Sequence, residues 1–206
     1  MIDFESLVAI VLAFFVVTVS PGPANIAAAT VAMSGGRRSG LIFGLGLSLG
    51  LAFWGLVAAT GMGALLQSTT TVLTALKILG GLYLLWLAWS SARSALTAET
   101  QEVRELAEGR WFLRGLLLNL SNPKAVVAWM AALSMGLGGD DGAAAVVLAT
   151  VACMAVGFLN YSGYALAFSV SGCMAWYRRF RAWIEGIAAG LFALAGLGLL
   201  KSALSR

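Results

Sequence analysis

The stretch Ser20-Pro21-Gly22-Pro23-Ala24-Asn25 lies inside a long apolar segment and decides how this chain folds. Its two prolines lack backbone donors and clash with the preceding helical turn, and the glycine between them adds flexibility. A helix that crosses this point must therefore break. In a bilayer, broken backbone is tolerated only where it is buried in protein or lines a cavity. The stretch is thus either a packing kink or part of a site.

Composition places the chain in a membrane. Of its 206 residues, 60% are hydrophobic and only 11% are charged. Because the apolar runs have the length of helices, we predict an all-α integral membrane protein with about six spans of roughly 20 residues each. The short loops leave no room for an extramembrane domain, so residues 1–206 are predicted to form a single transmembrane domain.

Composition also argues against several functions. The formal net charge of +4 does not indicate nucleic-acid binding, because the basic residues lie in short loops between apolar segments. The chain has no histidine, and its two cysteines, Cys153 and Cys173, form no CxxC motif, so we predict no metal site and no cofactor. Since no nucleophile–base pair is evident either, we predict that the protein is not an enzyme.

The charge distribution predicts the orientation of the chain. Six helices are expected, at about 4–34, 39–66, 72–92, 111–137, 143–172 and 183–204, the first and fourth of them interrupted. The loops after helices 1, 3 and 5 carry most of the arginines, including the basic, aromatic loop 176–181. Because positive loops stay on the cytoplasmic side, both termini are predicted to lie outside the cytoplasm.

A second break resembles the first. Helix 4 is interrupted by Ser121-Asn122-Pro123-Lys124-Ala125. Asn25 lies twelve residues before Arg37, and Asn122 lies twelve residues after Arg110. At 1.5 Å per residue, both asparagines are roughly 18 Å from the cytoplasmic arginines, near the middle of a bilayer core about 30 Å thick. The two breaks can therefore meet at one depth.

Helices 3 and 6 share motifs as well. Gly81-Leu82-Tyr83 matches Gly190-Leu191-Phe192, and Arg93-Ser94-Ala95-Leu96 matches Lys201-Ser202-Ala203-Leu204. The two halves, about 1–96 and 111–206, therefore resemble a duplication. Because each half has an odd number of helices, three, the second half is expected to lie upside down in the membrane relative to the first. Inverted repeats with corresponding broken helices indicate a transporter with its substrate site near the bilayer midplane.

The chemistry of the two breaks favours a zwitterion. Helix N-termini that follow the prolines offer amides to a carboxylate, and the carbonyls released before the breaks suit an ammonium group. Lys124 is a charge deep within a helix, which makes it a functional candidate, although its stem also allows snorkelling. The predicted substrate-binding residues are Ser20, Pro21, Gly22, Pro23, Asn25, Ser121, Asn122, Pro123, Lys124, Asn160 and Tyr161.

Simpler explanations remain for these features. Prolines are common in membrane helices, so each break is also explained as a kink that neighbouring helices and water satisfy. Asn160 and Tyr161 then serve only the broken backbone. The sequence does not separate packing from cavity-lining roles for Trp54, Trp86 and Trp129.

Several segments of the chain resemble the LysE/RhtB family of amino-acid exporters. These segments are Ser20–Asn25, Gly35–Gly40, Gly80–Ala88, Phe112–Ala125 and Gly186–Leu200. The resemblance implies a six-helix exporter of the bacterial inner membrane that moves amino acids or derivatives out of the cytoplasm, driven by an ion gradient. It leaves open a homodimer, and its partners would be the amino acid and membrane lipid.

One position departs from the family pattern. Many members carry an Asp in helix 2 after the GxxxG spacing, whereas here Gly50 is followed by Leu51. Glu185 is expected near the cytoplasmic end of helix 6, so no acid is predicted within the membrane to carry a coupling proton. The basic side chain of a substrate would need an acidic partner, and helices 1, 2, 4 and 5 offer none within the membrane. We therefore favour a neutral amino acid as substrate.

Two other classes of membrane protein compete with an exporter. A passive channel or scaffold would share the composition. A membrane thiol–disulfide carrier can share a six-helix duplicated plan but needs redox cysteines beside the prolines of helices 1 and 4, where this chain has none.

Overall fold

The chain folds into α-helices throughout the part that the structure describes. The computed structural model describes residues 3–66, 70–97, 109–136 and 142–204. These residues form the helices α1 (Phe4–Val19), α2 (Pro23–Leu66), α3 (Thr70–Leu96), α4 (Trp111–Leu120), α5 (Pro123–Gly136), α6 (Ala143–Phe168) and α7 (Cys173–Leu204). Most of the charged stretch predicted between helices 3 and 4, and most of the turns predicted after helices 2 and 4, lie outside the described residues.

Several of these helices are long and apolar enough to cross a membrane. They are Pro23–Gly61 within α2, Ala143–Phe168 and Cys173–Leu204. The pair α4 and α5 qualifies as one span that is bent by 59° at its break. The protein is therefore an all-helical, multi-pass membrane protein, and both predicted breaks separate helices, at residues 20–22 and 121–122.

Helix α2 contains a sharp joint at Gly36, where φ is 75° and ψ is 176°. Glycine adopts this conformation without the steric cost that a side chain would bring. We predicted a loop at residues 35–38, but the chain is helical on both sides of Gly36. The joint therefore separates the predicted helices 1 and 2 with a single non-helical residue.

Helix α7 begins ten residues earlier than the sequence suggested. The predicted interfacial loop at 176–181 is helical, since α7 starts at Cys173. Glu185 then lies twelve residues into the helix, roughly 18 Å from its start. Its side chain is only 5% exposed. Glu185 therefore lies well inside α7 rather than near its start, and its side chain is buried in the protein.

Glycines allow the helices to approach one another closely. Helix α2 packs against α4 and α6, and α3 packs against α7. At Gly46 an added Cβ would meet the carbonyl oxygen of Phe112, and at Gly115 it would meet that of Phe43. Small residues at such contacts let two backbones touch, which is how membrane helices associate. Gly46 and Gly115 therefore let α2 and α4 approach each other closely.

The aromatic core sits beside the broken helices. Trp129 of α5 is fully buried and lies 4.5 Å from Phe14 of α1 between ring centroids. Its indole nitrogen donates to the carbonyl oxygen of Leu51 at 2.8 Å. Trp129 is therefore a core residue that ties α1, α2 and α5 together.

Hydrogen bonds join α3 and α7 at opposite ends of their contact. The Ser94 hydroxyl donates to a Glu185 carboxylate oxygen at 3.3 Å, and the Lys77 ammonium donates to the Ser202 hydroxyl at 3.1 Å. The contact therefore links the last helices of the two predicted halves of the chain.

Replacing Gly115 by Ala is expected to destabilise the protein, because the new methyl group would collide with the α2 backbone. Overpacking of this kind costs about 1–3 kcal/mol. The matched variant Gly190→Ala adds a methyl group where nothing lies within 4 Å, and it should be neutral or slightly stabilising. Thermal unfolding of the detergent-purified proteins measures both, and equal melting temperatures would contradict the close α2–α4 contact.

Candidate functional site

The first break leaves several carbonyls without helical partners, and side chains satisfy them. The Ser20 hydroxyl donates to the Val17 carbonyl oxygen at 2.8 Å, and the Tyr164 hydroxyl donates to that of Val19 at 2.9 Å. The amide nitrogen of Asn25 donates to the carbonyl oxygens of Thr18, at 2.7 Å, and of Ser20, at 3.0 Å. The break is therefore held rigidly by groups of its own and of α6.

Asn25 links this break to α6. Its side-chain oxygen accepts a hydrogen bond from Asn160 at 2.9 Å, while its nitrogen serves the two carbonyls before the break. Both side chains are buried. Asn25 and Asn160 thus use their hydrogen-bonding groups within the protein, as the simpler explanation of these residues expects.

The second break is satisfied in the same manner. The backbone N–H of Lys124 donates to the Asn122 side-chain oxygen at 3.1 Å, and Asn122 in turn donates to Asn119 at 3.1 Å. Trp54 of α2 donates from its ring nitrogen to the Leu120 carbonyl oxygen at 3.1 Å. Trp54, whose role the sequence left open, therefore caps the helix that ends at this break.

Lys124 joins the two breaks directly. Its ammonium nitrogen lies 2.9 Å from the Ser20 carbonyl oxygen and 2.5 Å from the Ser20 hydroxyl oxygen. A Cβ at Gly22 would come within 3.1 Å of the same nitrogen. The glycine between the two prolines therefore makes room for the lysine of the opposite half. The ammonium group is brought to the point where both helices are interrupted.

A cavity of about 260 Å³ opens beside Lys124. Both breaks contribute to its wall, together with α3 and α7. Its lining residues are Ser20, Pro21, Gly22, Pro23, Tyr83, Trp86, Leu87, Ser90, Ser91, Ser94, Asn122, Pro123, Lys124, Glu185 and Phe192. We call this the central cavity. It gathers most of the predicted site residues, and it assigns Trp86 to the cavity wall.

The remaining predicted residues lie elsewhere. Asn25 and Tyr161 line a separate void of about 20 Å³ on another side of Lys124, which has room for one water molecule. Asn160 lies beside an apolar cleft between α1 and α6. Ser121 is exposed and donates to carbonyls of its own helix. The structure therefore does not bring these four side chains to the central cavity.

Sequence reasoning missed the contributions of α3 and α7 to the cavity. Ser90, Ser91 and Ser94 place hydroxyl groups along α3, and Glu185 faces them from α7. The charges of Glu185 and Lys124 are close enough to interact. The sequence did contain a signal for Glu185, which is an acid in a mostly apolar segment. The predicted start of the last helix at residue 183 placed this acid at a helix end, where it attracted no functional assignment.

A multi-pass helical protein whose two broken helices meet at a polar cavity has the architecture of a membrane transporter. The chain belongs to the family of LysE type translocators, whose sequence profile matches residues 15–203.

Named relatives share nearly the whole length of the chain. It is 31% identical over 205 residues to a threonine efflux protein of Salmonella typhi and 29% identical over 205 residues to one of Escherichia coli K12. Each comparison covers 94% of this chain and 96% of the relative. An uncharacterized membrane protein of Haemophilus influenzae is 26% identical over 192 residues, covering 90% of this chain and 91% of that protein. No solved structure matches.

Replacing Asn25 by Ala is expected to lower the melting temperature of the protein strongly. It removes the donor to Thr18 and the acceptor of Asn160, and each buried group left unpaired costs about 1–3 kcal/mol. The control Ser121→Ala removes an exposed hydroxyl at the other break and should change the melting temperature little. Thermal unfolding in detergent is the measurement, and a larger loss for the Ser121 variant would refute the role given to Asn25.

Proposed function

We propose that the protein is a secondary active exporter that carries a neutral amino acid, of which threonine is the first candidate, out of the cytoplasm by alternating access. The observation that carries this proposal is the position of Lys124, which bridges both broken helices and lines the central cavity. The similarity to threonine efflux proteins along nearly the entire chain supports the substrate class.

Lys124 is suited to hold the carboxylate of an amino acid. An ammonium group has three donors, and Ser20 accepts two of them. The third can turn to a ligand in the central cavity, whose volume of about 260 Å³ accommodates a small amino acid. Charge-assisted hydrogen bonds to a carboxylate are stronger than those to neutral oxygens, so a substrate would compete well with Ser20.

The charges in the central cavity favour a substrate without a charged side chain. Among the lining residues, Lys124 and Glu185 are the ionisable cation and anion. A zwitterion places its carboxylate at the first and its ammonium group at the second. A basic substrate would need a further acid. The hydroxyl groups of Ser90, Ser91 and Ser94 suit a small polar side chain such as that of threonine.

The packing of the helices supports two inverted repeats of three spans. One repeat consists of α1, α2 and α3, with α2 divided at Gly36, and the other consists of α4 to α7. The second half-helix of each broken span begins at a proline, Pro23 in α2 and Pro123 in α5.

Such repeats transport by rocking about a fixed site. In the proposed orientation the loops rich in arginine face the cytoplasm, both termini lie outside it, and the membrane is the bacterial inner membrane. Ser94 and Glu185 then mark the cytoplasmic side of the central cavity, where a substrate for export would enter. Lys77 and Ser202, at the other end of the α3–α7 contact, mark the exit side.

Replacing Lys124 by Met should lower L-threonine counterflow in proteoliposomes. Losing one charged hydrogen bond costs about 1.5–3 kcal/mol, or roughly 10- to 150-fold in binding. The control Lys201→Met removes an exposed lysine at the end of α7 and should transport like wild type. Wild-type protein without counterflow of threonine or any other amino acid would exclude the proposed exporter, since a passive channel shows no such transient accumulation.

Cysteine labelling tests the orientation. In a protein lacking Cys153 and Cys173, single cysteines replace Glu5 and Arg178, which are both exposed. In right-side-out membrane vesicles, a membrane-impermeant maleimide should label Glu5→Cys and spare Arg178→Cys. Inverted vesicles should give the opposite pattern. Labelling of Arg178→Cys from the outside would reverse the proposed topology.

A further inference from the structure

Glu185 is a buried acid of α7 that lies one turn beyond Arg181. It lies roughly 18 Å from the start of α7 and is 5% exposed, yet its carboxylate borders the central cavity. Acidic side chains within a membrane are costly and mark pathways for substrates, ions or protons. Glu185 bonds to Ser94 of α3, but its carboxylate also borders the cavity, which is the position expected of an acid that takes part in transport.

The groups around Glu185 suit a carboxyl that changes its protonation state. The Ser94 hydroxyl donates to the carboxylate at 3.3 Å and accepts a hydrogen bond from Arg181 at 2.8 Å. A hydroxyl can donate or accept, so Ser94 can serve both the ionised and the protonated acid. Ser94 is neutral, and the carboxylate that it bonds also borders the cavity.

Lys124 faces the same cavity from α5. Its ammonium group is held by Ser20, and its charge also acts on Glu185. The cavity thus presents one fixed cation and one acid. A zwitterion that spans them replaces any proton on Glu185 with its own ammonium group.

We propose that Glu185 is the proton-binding site of the transport cycle, at which a proton and the ammonium group of the substrate compete. This inference rests on the proposed export function. Glu185 of α7 would then take the role of the Asp that many family members carry in helix 2, where this chain has Leu51 after Gly50.

The exchange balances one proton against one amino acid. On the cytoplasmic side, the O–H bond of protonated Glu185 breaks, the proton passes to water, and the carboxylate binds the ammonium group of the zwitterion. On the outer side the amino acid leaves, and the carboxylate binds a proton from water. The protonated carrier then returns. An inward proton gradient therefore drives outward transport.

Other charged and titratable groups surround Glu185. They are Lys124 of α5, Tyr164 of α6, Tyr177 and Arg181 of α7, and Tyr83 of α3 on the cavity wall. Tyrosines ordinarily titrate near pH 10 and arginines above about 12. The test must therefore separate Glu185 from Lys124.

Proton release on substrate binding gives the direct measurement. L-threonine is added to detergent-purified protein in weak buffer with a pH indicator. Wild type should release about one proton per threonine bound at the acidic end of the pH range, and Glu185→Gln should release none. Lys124→Met should release protons at the threonine concentration that saturates it. Glu5→Gln, which removes an exposed acid, should match wild type.

Glu185→Asp tests the same point with an acid retained. Drawing the carboxyl back by one methylene should shift the pH midpoint of threonine binding while preserving proton release. Proton release by Glu185→Gln equal to that of wild type overturns the inference, and so does an unchanged midpoint in Glu185→Asp. In either case intact threonine counterflow by wild type would leave the proposed export function standing, because that function fails only if wild type does not transport.

Discussion

The contact of Lys124 with Ser20 is the interaction on which the rest of the structure depends. It brings the ammonium group of one broken helix to the carbonyl and hydroxyl oxygens at the break of the other, at 2.9 and 2.5 Å. Neither break could lie in a bilayer unless its freed backbone groups had partners. The contact satisfies one such group and fixes the two halves of the chain at a common point. The central cavity opens there because two interrupted helices cannot fill the space between them.

The remaining backbone groups are satisfied by side chains from other helices. Asn25, Tyr164 and Trp54 each donate to a carbonyl that precedes a break. Among the described residues, no buried side-chain nitrogen or oxygen lacks a partner. These hydrogen bonds explain why the packing role and the functional role of a residue are hard to separate here. The residues that stabilise a broken helix also shape the cavity that the break creates.

The site divides into a structural and a chemical part. Asn25 bonds to Asn160 and to the backbone, away from the central cavity. Lys124 and Glu185 line the cavity with opposite charges. A pair of opposite charges in a low-dielectric site attracts a zwitterion more strongly than the released carbonyls do, because those carbonyls already accept hydrogen bonds. This division favours the charged pair as the element that binds substrate.

The sequence by itself determined the membrane class and the two proline breaks, because these depend on composition and on local backbone chemistry, and it singled out Lys124 as a charge within an apolar helix. Only the tertiary structure decided which polar residues share a cavity. Ser94 and Glu185 are 91 residues apart and meet through the packing of α3 on α7. The start of α7 at Cys173 also could not be predicted, since charged and aromatic residues at 176–181 are typical both of a loop and of a helix end at a membrane surface. That difference in helix length places Glu185 well inside α7, where its buried side chain borders the central cavity.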